Sequence, residues 1–238
     1  METTTKFLEK RNETHDSISF IFAKPAGFDY IAGQYAFFTV DHESPDARGN
    51  RRHFTLSSSP TEPHLCLTTK FSNPCSTYKE ALRNLNPDTE VPIRGPEGDF
   101  TLPEDQSQPL VFLGGGIGIT PFRSMIKFAT DTHLPTPITL IYANKTPADI
   151  VYRTEFDQWA ETNPNFQVHY TVDTPNETWT GDIGHLTSDM IKKYAPDLDK
   201  PIYFICGPLG MLTAYEKILQ ETGIDEDQIR TESFSGYS

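Results

Sequence analysis

Pro109-Leu110-Val111-Phe112-Leu113-Gly114-Gly115-Gly116-Ile117-Gly118-Ile119-Thr120-Pro121-Phe122 is the stretch around which the chain is organised. The apolar run before the glycines is too short for a buried helix and reads as a strand covered on both faces. A helical pattern begins just after the glycines. Thr120 is placed to cap a free N–H, and Pro121 suits the first helical position, where its missing N–H has no partner anyway. Strand, glycine turn and helix N-terminus together make an anion site, because the backbone can be approached closely and unpaired N–H groups point at the ligand. The four glycines within Gly114–Gly118 cost more backbone entropy than a plain turn needs. No Lys-Ser or Lys-Thr follows them, which excludes a P-loop. Ile119 stands where the third glycine of the dinucleotide fingerprint belongs, and the next strand, Ile138 to Tyr142, ends in Ala143-Asn144-Lys145 with no acid. A pyrophosphate turn of another kind remains, with a ligand-free tight turn as the plain alternative. Arg123, a cation in the helix's first turn, opposes the dipole unless a phosphate sits there, and it is read as support for the phosphate.

Outward from that stretch toward the C-terminus, strand-like and helical runs alternate. Leu110–Leu113 precedes a helix from Pro121, and Ile138–Tyr142 one around Thr154 to Glu161. Phe166–Val172 precedes a helix around Thr187 to Tyr194, and Ile202–Cys206 one from Pro208 to about Thr222. Gln228 to Phe234 is a fifth strand. Such alternation predicts βαβ units and a five-stranded parallel sheet, whose ligands sit beyond the carboxyl ends of the strands. Cys206-Gly207-Pro208 repeats the logic of the first turn, glycine at the cap and proline at the first helical position, and is expected to face the same crevice. A thiol there is either a small core residue or a chemical one.

Toward the N-terminus the pattern is one of short strands and turns: Ile18–Phe22, Gln34–Val40, Phe54–Ser57, His64–Lys70 and Val91–Arg94. Regular short strands predict an antiparallel barrel or sandwich. One helix interrupts them, roughly Thr77 to Leu85. Pro103–Gln108 is a polar linker, so the expected division is residues 1–104 and 105–238.

Composition narrows the class. The chain has 238 residues, 36% hydrophobic and 12% aromatic, enough for a real core in one large or two small domains. Cys66, Cys75 and Cys206 are widely spaced and odd in number, too few for an iron–sulfur cluster or a four-cysteine zinc site. No metal constellation emerges from the scattered histidines. The N-terminus leads into no apolar leader region, and no stretch approaches ~18 apolar residues, so a cytoplasmic protein without a membrane partner is expected. A net charge of −13 disfavours nucleic acid and anionic membranes as partners.

Arg52-His53-Phe54-Thr55-Leu56-Ser57-Ser58 resembles the flavin motif of the ferredoxin–NADP⁺ reductase superfamily, Arg-x-Tyr-Ser/Thr with a small polar tail. Gly114 to Pro121 resembles its nicotinamide motif, Cys206-Gly207-Pro208 its Cys-Gly-Pro/Leu motif, and Glu232-Ser233-Phe234 its C-terminal acid-x-aromatic. The motifs stand in the family's order and span nearly the whole chain. The resemblance implies an antiparallel flavin-binding barrel, residues 1–104, followed by a NAD(P)-binding α/β domain, residues 105–238.

It also implies roles. Arg52 would pair with a flavin phosphate, which suits its planar fork. His53 lies inside the motif. Phe54 would pack on the flavin, without the hydroxyl that a tyrosine there supplies. Thr55 would contact the N5 region, and Leu67, Thr69 and Lys70 would line the ring's edge through backbone groups. Pro74-Cys75-Ser76-Thr77 would open the barrel's helix onto the FAD pyrophosphate, with Ser76 as plain N-cap the alternative. Gly114, Gly115, Gly116, Ile117, Thr120 and Pro121, with Cys206, Gly207 and Pro208, would hold the nicotinamide nucleotide, and Phe234 would stack over the flavin. The implied reaction is hydride transfer from NAD(P)H to FAD, shaped by Thr55, Cys206 and Glu232, then release of single electrons. The acceptor would be a ferredoxin, a flavodoxin, a cytochrome or an oxygenase component. Asp173 after the third strand would repel a 2′-phosphate and favours NADH; Lys145 and Arg153 keep NADPH open. Relatives with this ending often continue into a plant-type iron–sulfur domain, whereas this sequence stops at Ser238, which leaves a stand-alone reductase, a subunit or a truncated piece all open. Two other readings stand beside the reductase: an electron-relay flavin subunit of a larger complex without free reductase activity, and a flavin-free nucleotide-binding regulatory module.

Overall fold

A computed structural model of the chain describes residues 1–233. The N-terminal part is a six-stranded antiparallel sheet in the order β4-β3-β6-β1-β2-β5. Its strands are β1 (Glu2–Asn12), β2 (Ser17–Ala23), β3 (Tyr35–Thr39), β4 (Arg51–Thr55), β5 (His64–Lys70) and β6 (Glu90–Glu97), with α1 (Thr77–Arg83) between the last two. The two edge strands curl toward each other, and just beyond β4 the Ser57 N–H bonds the Cys66 carbonyl at 2.8 Å. β1 is absent from the sequence reading. Only Thr5 and Phe7 along it are buried, so its period of two is carried by one threonine and one aromatic rather than by an apolar run. The sheet curls around Phe7, Phe20, Phe22, Phe38, Leu65 and Tyr78, with Phe22 and Phe38 ring centroids 5.1 Å apart.

The second sheet is parallel, in the order β10-β9-β8-β7-β11-β12. It comprises β7 (Leu110–Gly115), β8 (Ile138–Asn144), β9 (Phe166–Val172), β10 (Asp182–Ile183), β11 (Ile202–Gly207) and β12 (Ile229–Ser233). The helices are α2 (Thr120–Asp131), α3 (Arg153–Thr162), α4 (Ser188–Tyr194) and α5 (Leu209–Glu221). Five strands were expected; the sixth, β10, is a two-residue addition beside β9, too short to carry a pattern. Every residue of β7 is buried, as a central strand of a two-faced sheet requires. Leu110 and Phe112 enter the core under α2 and α3, while Val111 and Leu113 enter the one under α4 and α5.

Two helix starts differ from expectation. A 3₁₀ turn, Gly116–Ile119, precedes α2, so Thr120 is already helical. Its hydroxyl donates back to the Ile117 carbonyl at 3.3 Å instead of capping an N–H. Pro208 is the N-cap of α5, with extended ψ, rather than its first helical residue. No helix among the described residues is long and apolar enough to cross a membrane.

Candidate functional site at the junction of the two sheets

The carboxyl end of the parallel sheet brings three motifs to one level. Cys206 on β11 is in register with Gly114 on β7 and with Glu232 on β12. The two glycine turns pack directly against each other, and a methyl group at Gly118 would lie 2.3 Å from the Cys206 carbonyl oxygen. The Tyr142 hydroxyl on β8 donates to the Gly116 carbonyl at 2.8 Å and braces the turn from the other side. Met211 on α5 lies over both turns: a methyl group at Gly115 would meet its sulfur. Neither Tyr142 nor Met211 belongs to a motif read from the sequence; their proximity to the turn is long-range.

Beside this level lies a cavity of about 630 Å³, lined by Tyr35, His53, Thr55, Asp99, Phe100, Arg230 and Glu232 among others. Thr55 and Glu232, far apart in sequence, thus face one space. Burial raises the Glu232 carboxyl to about 7, with the Asp99 charge adding to it, and its Oε2 is buried without a hydrogen-bond partner. Cys206, in register with Glu232 on the neighbouring strand, is fully buried. That burial, and then the Glu232 charge, raise its thiol well above the ordinary value, so it stays neutral. Tyr35, Asp99, Phe100 and Arg230 carry no motif signal and enter the site only through the fold.

Strand alternation divides the flavin motif between the faces of β4. His53 and Thr55 face the cavity, while Arg52 and Phe54 face Tyr78 of α1, the Arg52 Cζ at 5.1 Å and the Phe54 ring at 6.0 Å from the Tyr78 ring. This second face also holds the start of α1, where the Ser76 hydroxyl accepts the Lys79 N–H at 3.3 Å. Pro74, Cys75 and Thr77 flank that cap. Arg52 donates to Asp46 Oδ1 at 2.6 Å and to the carbonyls of Arg48 and Gly49 at 2.9 Å, so a phosphate would exchange for a carboxylate already on its fork. Leu67 and Thr69 are fully buried in β5, away from the cavity wall, and Lys70 pairs with Asp16 at 2.9 Å. Asp173 ends up beyond β9, where the exposed His185 ring lies 3.1 Å from its carboxylate. Phe234 lies outside the described residues. Gly114–Ile117, Thr120, Pro121, Gly207 and Pro208 form the two facing turns.

Arg123 does not face a phosphate. Its guanidinium turns away from the turn and is held by Glu62, Glu155 and the Ser57 carbonyl, because two carboxylates offer it better compensation than an open helix end. Among the described residues His15, Asp16 and Asp149 bring ligand atoms within 4.8 Å of one another. The Lys70 ammonium already occupies Asp16, so the trio is an ion-pairing group.

FAD, the group implied by the resemblance, fits these residues. The cavity has the volume of a cofactor site, an aromatic wall and one unpartnered buried carboxylate oxygen, and in the first glycine turn Gly116 is open, with nothing within 4 Å of where a Cβ would stand.

Comparison with known proteins agrees with this geometry. A family model for the oxidoreductase NAD-binding domain matches residues 112–217. The glycine betaine monooxygenase reductase subunit of Pseudomonas aeruginosa is 32% identical over 227 residues, covering 93% of this chain and 61% of that protein. NADH-cytochrome b5 reductase 1 of Mortierella alpina is 29% identical over 227 residues, covering 93% and 75%. An Amycolatopsis cytochrome P450 reductase superposes with a TM-score of 0.87 at 23% identity, covering 100% of this chain and 71% of the other. The cytochrome b5 reductase domain of Ulva prolifera nitrate reductase gives 0.83 at 23% identity, covering 98% and 97%. The chain spans about three-fifths of the length of the monooxygenase reductase subunits it matches. An antiparallel sheet carrying the arginine motif and a parallel sheet carrying the glycine and cysteine turns thus accompany an oxidoreductase NAD-binding domain over residues 112–217 and a likeness to reductase subunits.

Proposed function

We propose that the protein is a flavin-dependent oxidoreductase that takes a hydride from NAD(P)H onto FAD and passes electrons singly to a separate acceptor. The observation that carries this is that Thr55 and Glu232 line one cavity between the two sheets, with Glu232 in register with Cys206 and, through it, with Gly114 of the glycine turn. Bound FAD supplies the switch between two-electron and one-electron chemistry. The chain supplies alignment. Thr55 and Glu232 wall the space, and Gly116 leaves the first turn open to a nucleotide backbone. Glu232, poised near neutrality, holds or releases a proton at Oε2. Cys206 holds a neutral thiol on the strand beside Glu232.

The site assignments belong to this proposal: Thr55, Cys206 and Glu232 for the transfer, Arg52 with Ser76 and Thr77 for the flavin phosphates, and the Gly114–Pro121 and Cys206–Pro208 turns for the nucleotide. So does the division into a flavin-binding unit, residues 1–104, and a nucleotide-binding unit, residues 105–238. Its support is that the antiparallel sheet ends at Glu97 and the parallel one begins at Leu110. Asp173 favours NADH, since its carboxylate would repel a 2′-phosphate. The acceptor class is a ferredoxin, flavodoxin, cytochrome or oxygenase component, the last supported by the likeness to monooxygenase reductase subunits. The cytoplasm is the proposed compartment, in keeping with three free cysteines.

The test is the visible spectrum of the purified protein, followed by NADH and then NADPH without oxygen. A flavin spectrum that bleaches, faster with NADH, is the expected result. A flavin spectrum that neither nucleotide bleaches points to a relay subunit, and no flavin after reconstitution with FAD or FMN overturns the assignment of Arg52.

A further inference from the structure

Helix α2 begins at the nucleotide turn and, one turn in, grips the tail of the flavin motif. Arg123 is only 4% exposed. Its Nη1 donates to the Ser57 carbonyl at 2.8 Å and to Glu62 Oε2 at 2.9 Å. Its Nε and Nη2 donate to Glu155 at 2.8 and 2.9 Å. The next residue repeats the contact, the Ser124 hydroxyl donating to the Ser58 carbonyl at 2.6 Å. Glu62 in turn accepts the Ser59 N–H at 2.6 Å. Burial alone would raise the Glu62 carboxyl, but hydrogen bonding and charge from Arg123 hold it below the ordinary glutamate value, so the pair is ionised at neutral pH.

Tyr152 closes the same seam. Its ring lies 5.0 Å from the Arg123 guanidinium, and its hydroxyl bonds Thr68 on β5 and reaches Ser19 on β2 at 3.4 Å. Its φ of 61° is one that bulky residues avoid, and such a conformation persists only where the surroundings over-determine it.

A seam that needed only cohesion would be served by apolar side chains. A buried ion pair is weak evidence for stability, because desolvating both charges offsets much of their attraction. What a planar fork adds is direction: it fixes distance and angle between the groups it joins. Here those groups are Ser57, two residues after Thr55, and a helix whose first residue is Thr120. Transfer between two bound cofactors needs reacting atoms about 3–3.5 Å apart, and a shift of about 1 Å costs about a hundredfold in rate.

We propose that Arg123 is a positioning residue that sets the spacing of the two cofactor sites, through its bonds to Ser57 and Glu62 across the seam. The inference rests on the function proposed above.

The test compares two single substitutions in the full chain. Glu62→Gln removes the charge partner on the antiparallel sheet's side of the seam; Glu155→Gln removes the one on α3, whose reach across the seam is limited to a long 3.9 Å approach to Arg11 of β1. Positioning predicts that Glu62→Gln slows anaerobic flavin reduction at saturating NADH by about tenfold or more, with flavin and NADH affinities within about twofold of wild type. Glu155→Gln keeps the wild-type rate within about twofold. In the flavin-free protein, amide exchange in residues 57–59 and 120–124 accelerates together in Glu62→Gln and not in Glu155→Gln. Should Glu62→Gln not fold, Ser124→Ala is the milder cut across the same seam, with an expected slowing of about threefold. Equal slowing and equal loss of Tm in both glutamate variants would make Arg123 mere glue and overturn the proposal, as would an unchanged rate in Glu62→Gln. If wild-type protein carrying FAD is reduced by neither nucleotide, the proposed function fails instead, and the exchange measurement still decides whether Arg123 couples the two segments.

Discussion

Glu232 and Cys206 occupy register-paired positions on adjacent strands, and burial raises both. For a carboxyl raised from 4.5 to about 7, the folded chain binds the proton more tightly than the unfolded chain does. Its contribution is therefore full below about pH 4.5 and is lost as pH rises through about 7. Urea denaturation of wild type and Glu232→Gln will show wild type losing stability relative to the variant between pH 5 and pH 8, by up to about 3 kcal/mol at 1.36 kcal/mol per unit. A gap that does not change with pH would refute the buried, unpartnered state of Oε2. Cys206→Ala is expected to leave flavin bound and to slow its reduction about tenfold or more in a stopped-flow measurement; an unchanged rate would return the thiol to the core. Side-chain type alone could not reveal either environment, since a glutamate is ordinarily solvated.

At the scale of elements, the 3₁₀ turn between β7 and α2 depends on close backbone contact more than on glycine's flexibility. Gly118→Ala would drive a methyl group against the Cys206 carbonyl, and rigid backbone cannot yield as a side chain does. A loss of about 1–3 kcal/mol in denaturant unfolding is expected, together with weaker nucleotide binding, because the turn itself must shift. α1 offers a separable test. Ser76→Ala removes the cap on Lys79 and should cost about 1 kcal/mol. If Ser76 also meets a flavin phosphate, flavin affinity in equilibrium dialysis falls by more than that loss explains; if it is only a cap, affinity holds. The glycine turn was legible because its residues are contiguous and each has a mechanical reason. Thr120 and Pro208 were misassigned by one position because 3₁₀ turns and extended N-caps use the same residue types as α-helix starts.

For the whole molecule, under the proposed function, the charge of −13 would govern encounter with a protein acceptor. Electron delivery to a basic haem protein is expected to fall several-fold as ionic strength rises from about 0.01 to 0.15 M, and delivery to an acidic one to rise over the same range. A steady-state salt series with both acceptors checks this, and identical slopes would mean that a local patch outweighs the net charge. The fold class was readable because each half has its own rhythm, short strands and turns up to Gly98 and strand–helix alternation from Leu110. β1 was not, since Thr5 and Phe7 alone face inward along it.

The sequence by itself determined the order of the motifs, the antiparallel-then-parallel architecture and the two glycine turns at one sheet edge. Each follows from local propensity and from the handedness of βαβ crossovers, which act over a few residues or one unit. Only the tertiary structure decided that Thr55 and Glu232 share a wall, and that Arg123 points across the seam to Glu62 rather than into the turn. The physical reason is that a long charged side chain goes where its desolvation is best compensated, and its compensating partners lie 61 and 32 residues away in sequence.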